Sequence, residues 1–234
     1  MMNPNVPPNG DSSRTSSRVG FLGAGRMAQM LARLFLRAGH EVVLTNSRGP
    51  DSLVEVIAAL GPGASAAWPA TLADRCDVIV LAVPWAHVAD ALRSLGDVHG
   101  AVVIDTTNNR VGPRPEDIVD LGGRGSSEVV AELVPSARVV KAFNHQPIPS
   151  LATLGEPGAP RALFLAGDDD AAKAIVAELI RAIGGVPIDT GGLVEGGRLQ
   201  STGGGPLAGH GRLLTVEEAT TALADARRTY RLNR

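Results

Sequence analysis

The residues best suited to chemistry in this chain form one short run, Gly23-Ala24-Gly25-Arg26-Met27-Ala28. In the spacing G-x-G-x-x-A, the first glycine permits a tight turn, the second lets a pyrophosphate approach the backbone, and the alanine lets a helix pack closely on a strand. The N–H groups that begin this helix then face the phosphates. An apolar strand before the run and an amphipathic helix after it complete the expected context. The sequence therefore predicts a dinucleotide site contacted by Gly23, Ala24, Gly25, Arg26 and Met27.

The residues about 20 positions further on indicate which dinucleotide binds. NAD sites place a carboxylate at the end of the second strand, where it binds the ribose 2′-hydroxyl. This chain has Asn46, Ser47 and Arg48 there, and the first acid is Asp51. A hydroxyl and a guanidinium suit a phosphate dianion. We therefore predict that these three residues bind the 2′-phosphate of NADP(H), with the alternative that Ser47 and Arg48 are only turn residues before a helix.

Three loops follow successive predicted strands and should face the nicotinamide: residues 83–87, 105–109 and 144–147. Trp85 either shields the ring or packs under the following helix. Among the titratable residues of these loops, His145 is the best placed to face the nicotinamide. We favour a role in binding over a role in proton transfer for it. Hydride transfer depends on alignment more than on an acid or base. We therefore predict no catalytic acid or base in the chain and no metal ligand.

The elements that position these residues alternate between strand and helix. The first six predicted strands indicate an α/β fold with a Rossmann-like, doubly wound parallel sheet, whose ligand lies at the carboxyl ends of the strands. We predict a disordered tail over residues 1–16, a dinucleotide-binding domain over 17–149, and a smaller α/β portion over 150–234 packed on that domain. Within this last portion, residues 201–211 are rich in glycine and are predicted to be flexible.

Composition excludes several classes of function. The chain has 234 residues, a net charge of −2 and one cysteine, Cys76. It has no basic stripe for nucleic acid, no apolar run long enough for a membrane helix, and no internal disulfide. We expect a cytoplasmic protein with a small-molecule substrate, and we leave a homodimer open.

Several motifs in a fixed order resemble the NADPH-dependent reductases of the deazaflavin coenzyme F420, also called F420H2:NADP oxidoreductases. Besides the glycine run and Asn46-Ser47-Arg48, the resemblance rests on these stretches: LAVPWAH at 81–87, SSEVVAELV at 126–134, VVKAF at 139–143, AGDDDAAK at 166–173 and PIDTGGL at 187–193. It covers about residues 17–200.

The resemblance implies hydride transfer between NADP(H) and coenzyme F420. Its implied cofactor contacts are Ala24 to Met27, Ser47 and Arg48 at the phosphates, and Val83, Pro84, Trp85 and Asn108 near the nicotinamide. Its implied contacts for the deazaflavin are Trp85, Asn144, His145 and Gln146.

The chain departs from the family pattern at two places. In family members a lysine helps to hold the 2′-phosphate, and its position falls near Ser52 in this chain, which has no lysine there. The family's histidine after the sixth strand aligns with Asn144, and the imidazole of this chain comes one place later, at His145. Two alternatives therefore stay open: an NADPH-dependent reductase of a flavin, a metal or another small molecule, and a non-catalytic NADP(H) sensor. Three related families are disfavoured: pyrroline-carboxylate reductases, imine reductases and β-hydroxyacid dehydrogenases. These families add a long helical domain, and the sequence after residue 150 does not predict one.

Overall fold

The fold is described from a computed structural model, which covers residues 17–202 and 204–232. The predicted tail, residues 1–16, lies outside the described residues. The strands lie close to the apolar runs of the sequence: β1 Arg18–Leu22, β2 Glu41–Thr45, β3 Ala64–Ala66, β4 Val78–Leu81, β5 Val102–Asp105, β6 Arg138–Ala142, β7 Arg161–Gly167 and β8 Gly185–Asp189.

The helices fill the connections between these strands. They are α1 Arg26–Arg37, α2 Val54–Leu60, α3 Leu72–Arg75, α4 Val88–Leu95, α5 Ser126–Leu133, α6 Ile148–Leu151, α7 Asp170–Ala182 and α8 Val216–Leu232. Short 3₁₀ turns precede α2, α3 and α4, and a π-helical turn spans Leu193–Gly197. The predicted end of α1 at Gly39 is confirmed by a left-handed glycine with φ of 90°. The predicted cap of α8 is also confirmed, since the Glu218 N–H donates to Thr215 Oγ1 over 3.2 Å.

All eight strands form one sheet in the order β3-β2-β1-β4-β5-β6-β7-β8. Neighbours are parallel from β3 through β6, which confirms the Rossmann-like α/β fold. The strand order reverses between β1 and β4, and ligands bind at such a switch point, outside the carboxyl ends of the strands. The sheet is not parallel throughout, because β7 runs antiparallel to β6 and β8 then runs parallel to β7.

Side chains of alternate strand residues build two cores, one on each face of the sheet. Val19 and Phe21 of β1 pack with α1 on one face, whereas Leu22 packs on the other face with Leu81 and with Val88 of α4. This alternation follows from the two-residue period of a strand. Since both faces are covered by helices, the central strands are apolar on both sides, as buried parallel strands are.

The glycine-rich segment contributes Leu207 to a third hydrophobic cluster, which also contains residues of β7 and α8. Leu207 is fully buried in a cluster with Phe164 of β7 and with residues of α8. Its N–H donates to the Leu199 carbonyl over 2.9 Å. The buried Leu207 thus anchors this part of the segment, and flexibility of the remainder stays a prediction. Among the described residues, no helix combines the length and apolar character needed to cross a bilayer.

Candidate functional site

The two glycines of the predicted fingerprint have different roles. Gly23 has φ of +112°, and a Cβ there would lie 2.4 Å from the Ala82 carbonyl oxygen, so the fold itself requires glycine. Gly25 has ordinary extended angles, φ −76° and ψ −171°. A Cβ on Gly25 would meet no described heavy atom within 4 Å. The open space beside Gly25 therefore points to a ligand, and not to the fold, as the reason for glycine at this position.

Gly25 is also the N-cap of α1, and it has no side chain to cap the helix. The first turn, Arg26-Met27-Ala28, contains no carboxylate that could neutralise the positive end of the helix dipole. Helix N-termini with exposed N–H groups bind phosphates readily. Ala28 is fully buried against β1, which is the close helix-to-strand packing that a small residue permits. The start of α1 thus has the geometry of a pyrophosphate cradle.

A cleft of about 690 Å³ runs from this cradle across the carboxyl ends of the strands. Of the predicted cofactor contacts, those in its wall are Gly23, Ala24, Gly25, Asn46, Ser47, Val83 and Pro84. The remaining predicted contacts lie outside the wall of this cleft: Arg26, Met27, Arg48, Trp85 and Asn108. The wall also contains Trp68 and His87. The structure therefore brings the glycine run and the first two residues after β2 to one cleft, and their contacts with a dinucleotide stay a prediction.

The end of β2 is shaped by a small hydrogen-bonded turn. The Asn46 side chain accepts from the Arg48 N–H over 2.9 Å and donates to Ser52 Oγ over 2.8 Å. Asn46 therefore has a structural role in this turn. Ser47 and Arg48 are exposed, and the guanidinium of Arg48 has no hydrogen-bond or ion-pair partner among the described residues. An exposed cation next to Ser47 in the chain, without a counter-ion, suits a phosphate that arrives with the ligand.

The two tryptophans have contrasting environments. Trp85 is partly buried and packs against the core cluster that includes Val88 and Leu92 of α4. Trp85 therefore contributes to core packing, and its contact with the nicotinamide stays a prediction. Trp68 is 55% exposed although it lines the cleft. Sequence reasoning did not single out Trp68; the available signal was an aromatic residue placed directly after a short strand in a chain poor in aromatic residues.

Three of the four predicted second-substrate residues, Asn144, His145 and Gln146, are buried, whereas Trp85 is partly buried. Asn108 and Asn144 are joined by two hydrogen bonds, and Asn144 Nδ2 also donates to the Gln200 carbonyl over 2.8 Å. His145 is 7% exposed, and its ring centroid lies 5.1 Å from that of Phe164. Burial, with smaller contributions from Lys141 and His210, lowers the pKa of His145 to about 3. At neutral pH this imidazole is neutral and is a poor proton donor.

Unpaired polar atoms concentrate in this region. Within the described part of the chain, buried side-chain atoms without a hydrogen-bond partner include both ring nitrogens of His145 and the oxygens Asn144 Oδ1, Gln146 Oε1, Gln200 Oε1 and Thr202 Oγ1. An unsatisfied buried polar group costs about 1–3 kcal/mol. A second cleft, of about 430 Å³, opens nearby beside Asn109, Gly125 and Ser201.

A buried ionic cluster, which sequence reasoning missed, supports the loop after β5. Lys141 of β6 is 1% exposed and stands in register with Asp105 of β5. Its ammonium lies 3.6 Å from Asp105 Oδ2 and donates to the Thr107 carbonyl, to Ser126 Oγ and to Ser127 Oγ. Asp105 in turn accepts from Ser127 Oγ and from the N–H and hydroxyl of Thr107. Burial lowers the pKa of Lys141, and Asp105 opposes that shift. The only sequence signal was one lysine inside an apolar strand.

Comparison with known proteins agrees with this geometry. The family model described as "NADP oxidoreductase coenzyme F420-dependent" matches residues 18–109, which run from β1 to the loop after β5. The matched residues include the whole wall of the cleft that begins at Gly23. The rat metalloreductase STEAP3 is 29% identical over 212 residues, covering 90% of this chain and 40% of the relative. The chain thus spans about two fifths of the length of this curated relative.

Solved structures extend the likeness to most of the chain. The hypothetical protein SMa0349 from Sinorhizobium meliloti is 38% identical with a TM-score of 0.76, covering 86% of this chain and 95% of that one. A candidate F420-dependent NADP-reductase from Arthrobacter sp. FB24 is 24% identical with a TM-score of 0.66, covering 76% of this chain and 86% of that one. At this identity the second structure establishes a shared fold.

Proposed function

We propose that this chain, which belongs to the same family as the Sinorhizobium meliloti protein and matches the NADP oxidoreductase family model at residues 18–109, transfers a hydride between NADP(H) and the deazaflavin coenzyme F420. The observation that carries the proposal is the open space at Gly25. A Cβ there would be unobstructed, yet it would project beside the uncapped N-terminus of α1, where a pyrophosphate must approach. The proposed location is the cytoplasm.

Preference for NADP(H) over NAD(H) is the second part of the proposal. The cleft passes Asn46 and Ser47, and the exposed Arg48 follows them directly in the chain. The turn that Asn46 and Ser52 hold together fixes where these residues stand. With no carboxylate at the end of β2, a 2′-phosphate meets no repulsion there and gains a charge-assisted hydrogen bond from Arg48.

The chain's part in the reaction is to bind and align. A dihydronicotinamide, when bound, supplies the hydride. Val83 and Pro84 form the cleft wall at the carboxyl end of β4, and the Asp105–Lys141 cluster holds the neighbouring loop through the Thr107 carbonyl. Such fixed walls hold reacting atoms about 3–3.5 Å apart, which accounts for much of the rate of hydride transfer, while solvent supplies the proton that the reduced deazaflavin ring takes up. The low pKa of His145 agrees with a reaction that uses no protein acid.

The acceptor is the finer part of the proposal. Asn144 Nδ2 already donates to the Gln200 carbonyl, so an acceptor that binds this nitrogen must replace that hydrogen bond. A polar heterocycle could then satisfy the unpaired amide oxygens and imidazole nitrogens gathered there. The likeness to STEAP3, a metalloreductase by its printed name, supports a second candidate: reduction of a flavin or a metal with the same cofactor.

The decisive experiment mixes the purified protein with NADPH and oxidised coenzyme F420 and follows the deazaflavin absorbance. The proposal expects turnover with F420 that exceeds turnover with free flavin or ferric chelates. Faster reduction of flavin or iron selects the second candidate. Binding of NADPH without turnover of any acceptor selects the sensor.

A matched variant tests the cofactor site separately. Gly25→Ala adds one methyl group to open space at ordinary backbone angles, so the midpoint of thermal unfolding should stay near that of the wild type. NADPH affinity should nevertheless fall by about tenfold or more, since the methyl group keeps the pyrophosphate from the helix N-terminus. Unchanged NADPH affinity in this variant contradicts the proposed site.

A further inference from the structure

Trp68 combines a fixed backbone with a half-exposed side chain. Its neighbour Ala67 donates its N–H to the Leu44 carbonyl of β2 over 3.1 Å, and the Trp68 carbonyl accepts from both the N–H and the hydroxyl of Thr71 over 3.0 Å. Pro69 follows, and a proline restricts the residue before it to extended angles. Trp68 has φ −80° and ψ 143°, in agreement with this restriction. The indole therefore projects from a rigid base.

The indole rests on Gly49, in the turn that follows Ser47 and Arg48. A Cβ on Gly49 would lie 2.4–3.0 Å from three carbons of the six-membered ring, and φ at Gly49 is +87°. Glycine is thus required here on two grounds, and its lack of a side chain lets the aromatic ring approach the turn closely. Trp68 is still 55% exposed, so part of its ring stays open to a ligand in the cleft.

The position of Trp68 within the cleft suggests what its ring contacts. Trp68 lines the same cleft as Asn46, Ser47 and Gly25. In a dinucleotide whose pyrophosphate lies at Gly25 and whose 2′-phosphate lies at Ser47 and Arg48, the adenine is attached to that same ribose. It must therefore lie at this end of the cleft, within reach of the turn on which the indole rests.

We propose that the indole of Trp68 is the platform on which the adenine ring of NADP(H) stacks. This inference rests on the proposed function, because it needs a dinucleotide in the cleft. It adds a residue that recognises the base, whereas Arg48 recognises the 2′-phosphate. A flat ring on a rigid backbone binds a base at low entropic cost, and stacking tolerates any base because each has a π-face.

The first test compares ligands that share adenine and differ in phosphate. Dissociation constants are measured by calorimetry for NADPH, NADH and 2′,5′-ADP with the wild type, Trp68→Ala and Trp68→Phe. Trp68→Ala should weaken all three by a similar factor of about 5- to 30-fold, and Trp68→Phe, which keeps an aromatic face, by under about threefold. Arg48→Ala serves as the matched control, since it should affect only the two ligands that have a 2′-phosphate.

The outcomes separate the inference from the proposed function. Wild-type affinity in Trp68→Ala, or a loss confined to the ligands with a 2′-phosphate, overturns the platform while leaving the NADP(H) site in place. If the wild type binds none of the three ligands, the proposed function and the inference fall together.

A second test observes the ring directly. The chain has two tryptophans, so Trp85→Phe leaves Trp68 as the sole indole. Adding 2′,5′-ADP to this variant should quench the tryptophan fluorescence along the same curve that calorimetry gives for binding, whereas nicotinamide mononucleotide should not. Binding of 2′,5′-ADP with unchanged Trp68 emission overturns the inference.

Discussion

Replacing Lys141 with methionine tests how the buried Asp105–Lys141 cluster, which supports the loop after β5, contributes to stability. Methionine keeps the length of the side chain but removes the ammonium, which donates hydrogen bonds of 2.9–3.1 Å to Thr107, Ser126 and Ser127 and lies 3.6 Å from Asp105. Removing one member of a buried ion pair typically costs about 3–5 kcal/mol, because the other charge stays buried without compensation.

The expected cost for Lys141→Met lies near the lower limit of this range, at about 3 kcal/mol. Asp105 keeps three short hydrogen bonds, from the Thr107 N–H at 2.8 Å, the Thr107 hydroxyl at 2.6 Å and the Ser127 hydroxyl at 2.5 Å. These hydrogen bonds partly stabilise the Asp105 carboxylate after it has lost its ion-pair partner. Urea unfolding at neutral pH measures the free energy of unfolding by linear extrapolation.

The double variant Asp105→Asn/Lys141→Met provides the control. With both charges gone, it should recover about 1–2 kcal/mol relative to Lys141→Met, and the double-mutant cycle isolates the coupling between the two residues. A cost under about 1 kcal/mol for Lys141→Met, or a double variant less stable than that single one, would refute the reasoning, since either result means that the buried charges are not paired.

Three further predictions follow from the site. Arg48→Ala should weaken NADPH by about 10- to 150-fold and NADH little, because a charge-assisted hydrogen bond contributes about 1.5–3 kcal/mol; equal losses in calorimetric titrations contradict this. His145 has a pKa of about 3 in the fold, against about 6.5 for an unperturbed histidine, so between these values the unfolded chain binds more protons and stability falls with falling pH. Urea titrations should show a contribution approaching 1.4 kcal/mol per pH unit below about pH 6, absent in His145→Leu; a constant difference between the two proteins from pH 7 to about 4.5 would disprove the shift. Finally, His87→Ala and His145→Ala should each lower kcat by under about 100-fold in the F420 assay, since no protein acid is needed, and a larger loss would assign an acid or base to that histidine.

The sequence alone was sufficient for features that depend on near neighbours in the chain. The glycine spacing, the apolar strand before it and the amphipathic helix after it lie within 21 residues, from Val19 to Gly39, and they predicted the β1-turn-α1 unit that the structure contains. The lack of an acid after β2 was likewise local, and so was the cap of α8 at Thr215. Backbone angles, strand alternation and helix caps are set by a few adjacent residues, so that their patterns can be read directly.

Only the tertiary structure decided which distant residues meet. Asp105 and Lys141 are neighbours because β5 and β6 pair in one particular register, and Trp68 lies against Gly49 because β2 and β3 are adjacent in the sheet. The antiparallel direction of β7 and the burial of Leu207 likewise arise from packing between elements far apart in the sequence. A one-residue shift in strand register would move Lys141 to the opposite face of the sheet, and no local pattern distinguishes the two registers. The register that buries more apolar surface is the stable one. The area buried is defined only when all the elements are packed together, so it cannot be read from a local sequence pattern.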